Sequence, residues 1–182
     1  GTVPPEGGIL VAAPHTSNWD WVFSLLHTWS TNIHPRLLVK KEFLVGPLGW
    51  IMRKTGSVAI DRDNPRATVE QLLAEAKATH EPFFVALAAE GTRGKSTYWK
   101  SGFRRLAKDT GLPIALAFLD VPRRTVGWGP TFHPTEDVTA DMDILREFFA
   151  DKVGFNPEST TPHLCCAKKC ATQMALNGIT TS

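Results

Sequence analysis

The chain has 182 residues, of which 42% are hydrophobic, and its formal net charge is +2. This length and composition suffice for one domain with its own core, without disulfides or metals to hold it together. The longest apolar runs, at 8–13 and 83–89, fall far short of the eighteen or more residues of a membrane-spanning helix, so we expect no span.

Apolar runs alternate with helical patterns from the start of the chain to residue 120. The predicted strands read GILVAA, RLLVK, SVAID, FFVALA and PIALAFLD, and a helical pattern over EFLVGPLGWIMRK separates the second from the third. This alternation predicts an α/β fold, a single domain with a mainly parallel central sheet covered by helices. The helix at 65–79 has the clearest pattern, with Pro65 in its first turn and an apolar face of Val69, Leu72, Leu73 and Ala76.

After residue 120 the alternation weakens. The stretch 123–134 is interpreted as an edge hairpin, and 141–154 as a last amphipathic helix. The inward face of that helix is predicted to carry Ile144, Leu145, Phe148 and Phe149.

The stretch HTSNWD at 15–20 follows the first predicted strand and opens the first helix. Ser17 and Asp20 have the spacing of a capping box, which explains both residues structurally but leaves His15 without a role. At the end of a strand, His15 would project at the carboxyl edge of the sheet, where α/β proteins bind ligands. On a continuous helix, His15 and Asp20 would be about 140° apart. They can therefore meet only if His15 precedes the helix, as the cap predicts.

A carboxylate bonded to one imidazole nitrogen fixes the tautomer and leaves the other nitrogen as a base. Such a pair can take a proton from an alcohol. Because the chain has no GxSxG nucleophile elbow, direct activation of a substrate hydroxyl is favoured over an acyl-enzyme on serine.

A second candidate site is the segment AAEGTRGK at 88–95, which follows the strand FFVALA. Gly91 and Gly94 permit a tight turn whose backbone amides, with Arg93 and Lys95, can surround an anion such as phosphate. The planar fork of arginine matches phosphate oxygens.

Arg62, in GSVAIDR, ends another predicted strand. It would reach the same edge as His15 and Arg93 if the sheet is parallel. The structural alternative is a salt bridge from Arg62 to Asp61 or Asp63.

The charges are unevenly distributed. Residues 135–151 hold six acids against Arg146 alone, whereas 91–108 hold no acid and six basic residues, namely Arg93, Lys95, Lys100, Arg104, Arg105 and Lys108. The basic region could attract anions or form a solvated helix face. Trp99 and Phe103 beside it leave nucleic-acid binding as an alternative, but a phosphorylated or thioester substrate explains the charges better, so no nucleic-acid partner is expected.

The tail, 156–182, is rich in Thr, Ser and Ala, has little periodicity and is predicted to be poorly ordered. Its four potential zinc ligands are His163, Cys165, Cys166 and Cys170. Zinc sites usually draw on a second, distant ligand pair, so we predict no metal site. The clustered cysteines and the lack of a secretory signal favour a reducing, cytoplasmic location.

The blocks HTSNWD, GSVAIDR, EGTR and LPIALAFLD, in this order over residues 15–120, resemble the four sequence blocks of the glycerolipid acyltransferase family. That family includes the 1-acylglycerol-3-phosphate acyltransferases, and KEFLVGPLGW is typical of its small bacterial members. Four ordered blocks are far more specific than a histidine and an aspartate alone. The resemblance implies an acyltransferase-like domain over residues 1–155.

The resemblance further implies an O-acyltransferase in which His15 is the general base and Asp20 orients it. The acceptor hydroxyl, on a glycerophosphate-type molecule such as lysophosphatidic acid, attacks an acyl thioester. The thiol of coenzyme A or of acyl carrier protein leaves, and no cofactor beyond this co-substrate is implied.

By the same resemblance, the acceptor phosphate is held by Arg62 and the loop of Glu90, Gly91, Thr92 and Arg93, with Lys95 beside it. A carboxylate repels phosphate, so Glu90 is assigned to orienting Arg93 or the loop. Ala88, Ala89 and Gly94 depart from the family pattern, which leaves the identity of the phosphorylated acceptor open. Transfer to an unphosphorylated lipid or other alcohol, and thioester hydrolysis, remain as alternatives.

Many relatives sit on the membrane through a hydrophobic N-terminal segment that this sequence does not contain. We therefore expect peripheral contact with the inner face of the membrane through a surface patch. The candidates are Phe43, Leu44, Trp50, Ile51 and Met52, flanked by Lys40, Lys41, Arg53 and Lys54. Leu44 and Ile51 fit a core position equally well.

Overall fold

The structure is a computed structural model that describes residues 1–60, 65–78, 81–90 and 99–160. Its strands are β1 (Gly7–Ala13), β2 (Arg36–Lys40), β3 (Ser57–Ile60), β4 (Phe83–Ala88), β5 (Ile114–Asp120) and β6 (Thr125–Phe132). Its α-helices are α1 (Asn18–Ser30), α2 (Gly46–Lys54), α3 (Pro65–Ala78), α4 (Gly102–Thr110) and α5 (Val138–Phe149).

The strands form one sheet in the order β3-β2-β4-β1-β5-β6. The first five are parallel, and β6 pairs antiparallel with β5 at the edge. The predicted α/β fold with a mainly parallel sheet is confirmed. The stretch 123–134 lies at the sheet edge as predicted, but it forms the single strand β6, paired antiparallel with β5, and is not a hairpin by itself. Because parallel strands end at the same edge, the turns after β1, β3 and β4 all leave from one side of the sheet.

The central strand β1 alternates between two apolar layers. Ile9 and Val11 face the main core, which α3, α4 and α5 complete with Leu72, Phe103, Leu106, Met142, Leu145 and Phe149. Leu10 faces the opposite layer, with Phe84 and Ala115. Burial on both faces is typical of a strand in a parallel sheet. It holds β1 in place, so that the residues after β1 start from a fixed position at the carboxyl edge of the sheet.

Two helices differ from their predicted patterns. The last helix, α5, runs from Val138 to Phe149 and so begins and ends earlier than the predicted 141–154. In α5, Leu145 and Phe149 are buried, whereas Ile144 and Phe148 pack against the core from partly buried positions. The predicted helix over EFLVGPLGWIMRK is wrong in one respect, since a 3₁₀ turn (Lys41–Leu44) precedes α2. Gly46, at φ +71°, turns the chain between them, a conformation that favours glycine.

The proposed membrane patch divides into buried and exposed residues. Leu44 and Met52 are each 9% exposed and belong to the interior, so their assignment to the surface patch is wrong. Trp50 and Ile51 are 60% and 50% exposed. The side chains of Phe43, Lys40 and Lys41 lie outside the described residues. In the part of the chain that the structure describes, no helix is long and apolar enough to span a membrane.

The basic residues of α4 face the acids that follow in the sequence. Arg104, which is 7% exposed, pairs with the buried Asp141 at 2.6 Å, and Lys108 pairs with Glu136 at 2.8 Å. Arg105 lies 3.6 Å from Asp109 on the same helix. The uneven charge distribution is therefore partly structural, because the basic region 91–108 and the acidic region 135–151 form ion pairs with each other.

Candidate active site

The loop between β1 and α1 contains the candidate histidine. The peptide bond between Ala13 and Pro14 is cis, and Ser17 is the extended N-cap residue of α1. The predicted capping box is present: the Ser17 hydroxyl accepts from the Trp19 amide at 3.0 Å, and the Ser17 amide donates to the Asp20 carboxylate at 2.6 Å. His15 thus precedes the helix, partly exposed at the carboxyl edge of the sheet.

The two oxygens of the Asp20 carboxylate have different surroundings. The residue is 2% exposed, and its Oδ2 accepts from the amides of Thr16 and Ser17 and, at 3.1 Å, from the Thr16 hydroxyl. Oδ1 is also buried, but no donor among the described residues reaches it. A buried carboxylate needs its oxygens paired, so Oδ1 is available for a donor on a neighbouring side chain or a substrate.

Glu90 connects the loop after β4 to the loop that carries His15. Its side chain is fully buried, and Oε1 accepts the backbone N–H of His15 at 3.0 Å. The adjacent Ala89 amide donates to Ala12 at 3.2 Å, which continues the pairing of β4 with β1. The carboxylate is therefore used to hold the chain of His15, 75 residues away in sequence.

The predicted phosphate ligands Arg62, Gly91, Thr92, Arg93 and Lys95 lie outside the described residues, as do the cysteines of the tail. Of the last described residues before them, Ile60 ends β3 and Glu90 follows β4. The carboxyl ends of these two parallel strands share an edge with that of β1. β3 is the third strand from β1, about 14 Å away at ordinary strand spacing.

Two cavities lie away from His15. A wide depression of about 480 Å³ is lined by Arg36, Arg53, Ser57 and Glu75, at the amino ends of β2 and β3. A small apolar cavity of about 50 Å³ lies between α1 and the sheet, where burial lowers the pKa of His27. The wide depression is at the wrong edge of the sheet for a substrate of His15.

Sequence reasoning missed the contacts of Thr16 and Asn156. The Asn156 amide donates to the Thr16 hydroxyl at 3.0 Å, and its side-chain amide donates to the Thr16 carbonyl at 3.3 Å. These contacts join residues 140 positions apart. No local pattern signals them, because one donor is a backbone N–H that any residue except proline provides.

Comparison with known proteins identifies relatives of this chain. A sequence model of the Acyltransferase family matches residues 1–117. The 1-acyl-sn-glycerol-3-phosphate acyltransferase of Pseudomonas aeruginosa is 28% identical over 116 residues, which are 60% of this chain and 43% of the relative. The chain thus spans less than half the length of that relative.

Among solved structures, the chain is similar to the 1-acyl-sn-glycerophosphate (LPA) acyltransferase PlsC from Thermotoga maritima, with a TM-score of 0.51. The superposition covers 81% of this chain and 64% of that protein, at 17% sequence identity. At this level of identity the likeness concerns the fold.

Replacement of Glu90 tests its role in holding the loop. Glu90→Ala should lower the free energy of unfolding by about 1 to 3 kcal/mol, because the partly buried His15 amide loses its acceptor. Glu90→Gln should lose less, since the amide oxygen of glutamine still accepts. Urea denaturation of the two variants measures the difference, and equal losses would contradict the assigned role.

Proposed function

We propose that this chain, which belongs to the acyltransferase family, moves a fatty acyl group from a thioester to a hydroxyl of a glycerophosphate-type acceptor such as lysophosphatidic acid. The observation that carries the proposal is the asymmetry of Asp20. One of its oxygens is saturated by the loop that contains His15, and the other is buried without a donor among the described residues.

The proposed chemistry begins with proton transfer. Asp20 Oδ1, which accepts from no donor among the described residues, is proposed to accept an N–H of the His15 imidazole. That bond would fix the tautomer and leave the second ring nitrogen as the base. That nitrogen takes the proton of the acceptor hydroxyl while the oxygen attacks the thioester carbonyl. The C–S bond then breaks, and the thiolate leaves with the proton returned by the imidazolium, so that one ester and one thiol are formed.

The acceptor phosphate is proposed to bind Arg62, Arg93 and the backbone of the EGTR turn, with Lys95 beside it. Glu90 contributes to the site by holding the backbone of His15, since its buried carboxylate would repel an anion. The acyl donor is proposed to be acyl-CoA or acyl carrier protein, the latter as a protein partner.

Peripheral contact with the inner face of the membrane is proposed at α2. There the exposed Trp50 and Ile51 adjoin Arg53 and Lys54 in the sequence, and Lys54 Nζ lies 5.8 Å from the Trp50 ring. Aromatic residues beside cations suit an anionic lipid surface. Helix α1 also exposes apolar side chains, but it contains no lysine or arginine.

His15→Ala should lower kcat about 10²-fold to 10⁴-fold with little change in acceptor KM, because the base acts on the reacting proton. Asp20→Asn should also lower kcat. Its matched control is Ser17→Ala, which weakens the same cap by about 1 kcal/mol but keeps the Asp20 carboxylate. An acyl-transfer assay with mass spectrometry of the products measures both effects. A His15→Ala rate within threefold of wild type would remove His15 from the mechanism.

Arg62→Ala and Arg93→Ala should each raise KM for a phosphorylated acceptor about tenfold or more, since a charge-assisted contact contributes roughly 1.5 to 3 kcal/mol. Arg93→Lys should restore part of the affinity, because lysine lacks the planar fork. The matched control is Arg105→Ala, on the exposed face of α4. Equal losses with an unphosphorylated acceptor, or an unchanged KM, would argue against the phosphate site while leaving acyl transfer intact.

Trp50→Ala should reduce flotation of the protein with anionic vesicles, and high salt should reduce it further, because basic residues near a negative surface contribute about 1 kcal/mol each. The matched control is Trp29→Ala on α1, an exposed tryptophan without basic neighbours on its helix. If Trp29→Ala weakens binding and Trp50→Ala does not, the contact surface is α1.

A further inference from the structure

The segment that follows α5 crosses the carboxyl edge of the sheet to reach the loop of His15. Beside β5 it is held at two points: the Val121 amide donates to Val153 at 2.9 Å, and Arg123 Nη1 donates to the Asp151 carbonyl at 3.0 Å. Phe155 then stacks on Phe23 of α1, with the ring centroids 5.6 Å apart. The segment is therefore held beside β5 before residue 154 and against α1 at Phe155.

Residues 154–156, here called the brace, contact Thr16 directly. Asn156 donates both its backbone N–H and its side-chain amide to Thr16, at 3.0 Å and 3.3 Å. Gly154 packs so closely that a Cβ at this position would lie 2.5 Å from Thr16 Oγ1 and 3.0 Å from its Cγ2. Glycine at 154 is thus required for Thr16 to keep its place.

The direction of these hydrogen bonds is determined by their donors. A backbone N–H can only donate, so Thr16 Oγ1 accepts from Asn156. The single hydroxyl hydrogen of Thr16 is then left for Asp20 Oδ2, at 3.1 Å. The brace thereby selects the orientation of the hydroxyl that helps to saturate Oδ2, whereas Oδ1 has no donor among the described residues.

We propose that the brace is a positioning element of the active site, which acts through Thr16 to aim Asp20 Oδ1 at the His15 imidazole. It lies beyond the residues that the Acyltransferase family model matches, which end at 117. This inference rests on the proposed pairing of His15 with Asp20. It assigns no substrate contact to Gly154 or Asn156.

The first test compares variants of Thr16. Thr16→Val keeps the shape but removes the hydroxyl, and should lower kcat about tenfold to hundredfold with acceptor KM within twofold, the cost of small misplacement of a reacting group. Thr16→Ser keeps the hydroxyl and should restore most of kcat. A Thr16→Val kcat within threefold of wild type, or a Thr16→Ser variant as impaired as Thr16→Val, would overturn the proposal.

The second test is a double-mutant cycle, which remains informative even if one variant folds poorly, because it compares the same substitution in two backgrounds. Gly154→Ala should lower kcat in the wild-type background, but not in Thr16→Ala, where the two atoms that the new Cβ would meet first are gone. The matched control is Gly129→Ala in the edge strand β6, where the new Cβ would lie 2.4 Å from the Phe148 ring of α5. It should lower the melting temperature without lowering kcat. Additive effects of Gly154→Ala and Thr16→Ala would overturn the proposal.

A third measurement needs no substrate and so separates this inference from the proposed function. The tautomer of His15 in the free protein can be followed by ¹⁵N–¹H correlation spectra, with His15→Gln to assign the signal. Thr16→Val and Gly154→Ala should shift the tautomer balance, and Thr16→Ser should not. If the wild-type protein shows no acyl transfer but the two variants show this shift, the proposed function is refuted and the brace is retained. An unchanged tautomer in both variants would refute the brace.

Discussion

Burial of the Asp20 carboxylate is the constraint on which the site depends. A charged group that is 2% exposed must be compensated by donors, and here three of them converge on one oxygen. Two are amides of Thr16 and Ser17, which precede the helix. The loop from β1 to α1 is therefore fixed by the need to satisfy the carboxylate, and His15 is fixed with it.

Helix capping and the proposed catalysis are compatible because they use different oxygens of the same side chain. Oδ2 completes the capping box, and Oδ1 is left for an imidazole. The cap also removes the angular problem of a spacing of five, since α1 begins only after His15. Glu90 adds a second restraint from the neighbouring strand, at the backbone of His15. A base held from two sides needs little reorganisation before it takes a proton.

The charge pattern was only partly informative at the sequence level. The contrast between a basic stretch and an acidic one indicated an anion-binding region, yet Arg104 and Lys108 are engaged by Asp141 and Glu136. The buried Arg104–Asp141 pair fastens α4 to α5, and such a pair costs several kcal/mol when one partner is lost. The proposed binding of a phosphorylated acceptor therefore rests on Arg62, Arg93 and Lys95, and not on α4.

Whether a feature could be predicted depended on the sequence separation of its parts. Periodicity and spacing predicted the strands, the amphipathic helices and the Ser17–Asp20 cap, because each of these depends on residues that are close together in the sequence. The bond between Asn156 and Thr16 spans 140 positions and uses a backbone donor, so residue identity at 156 carries little information about it. Gly154 is different. A Cβ at this position would lie 2.5 Å from Thr16 Oγ1, which leaves no room for a side chain beside Thr16. The constraint that links the end of the domain to the candidate base is therefore expressed at 154 as a requirement for glycine.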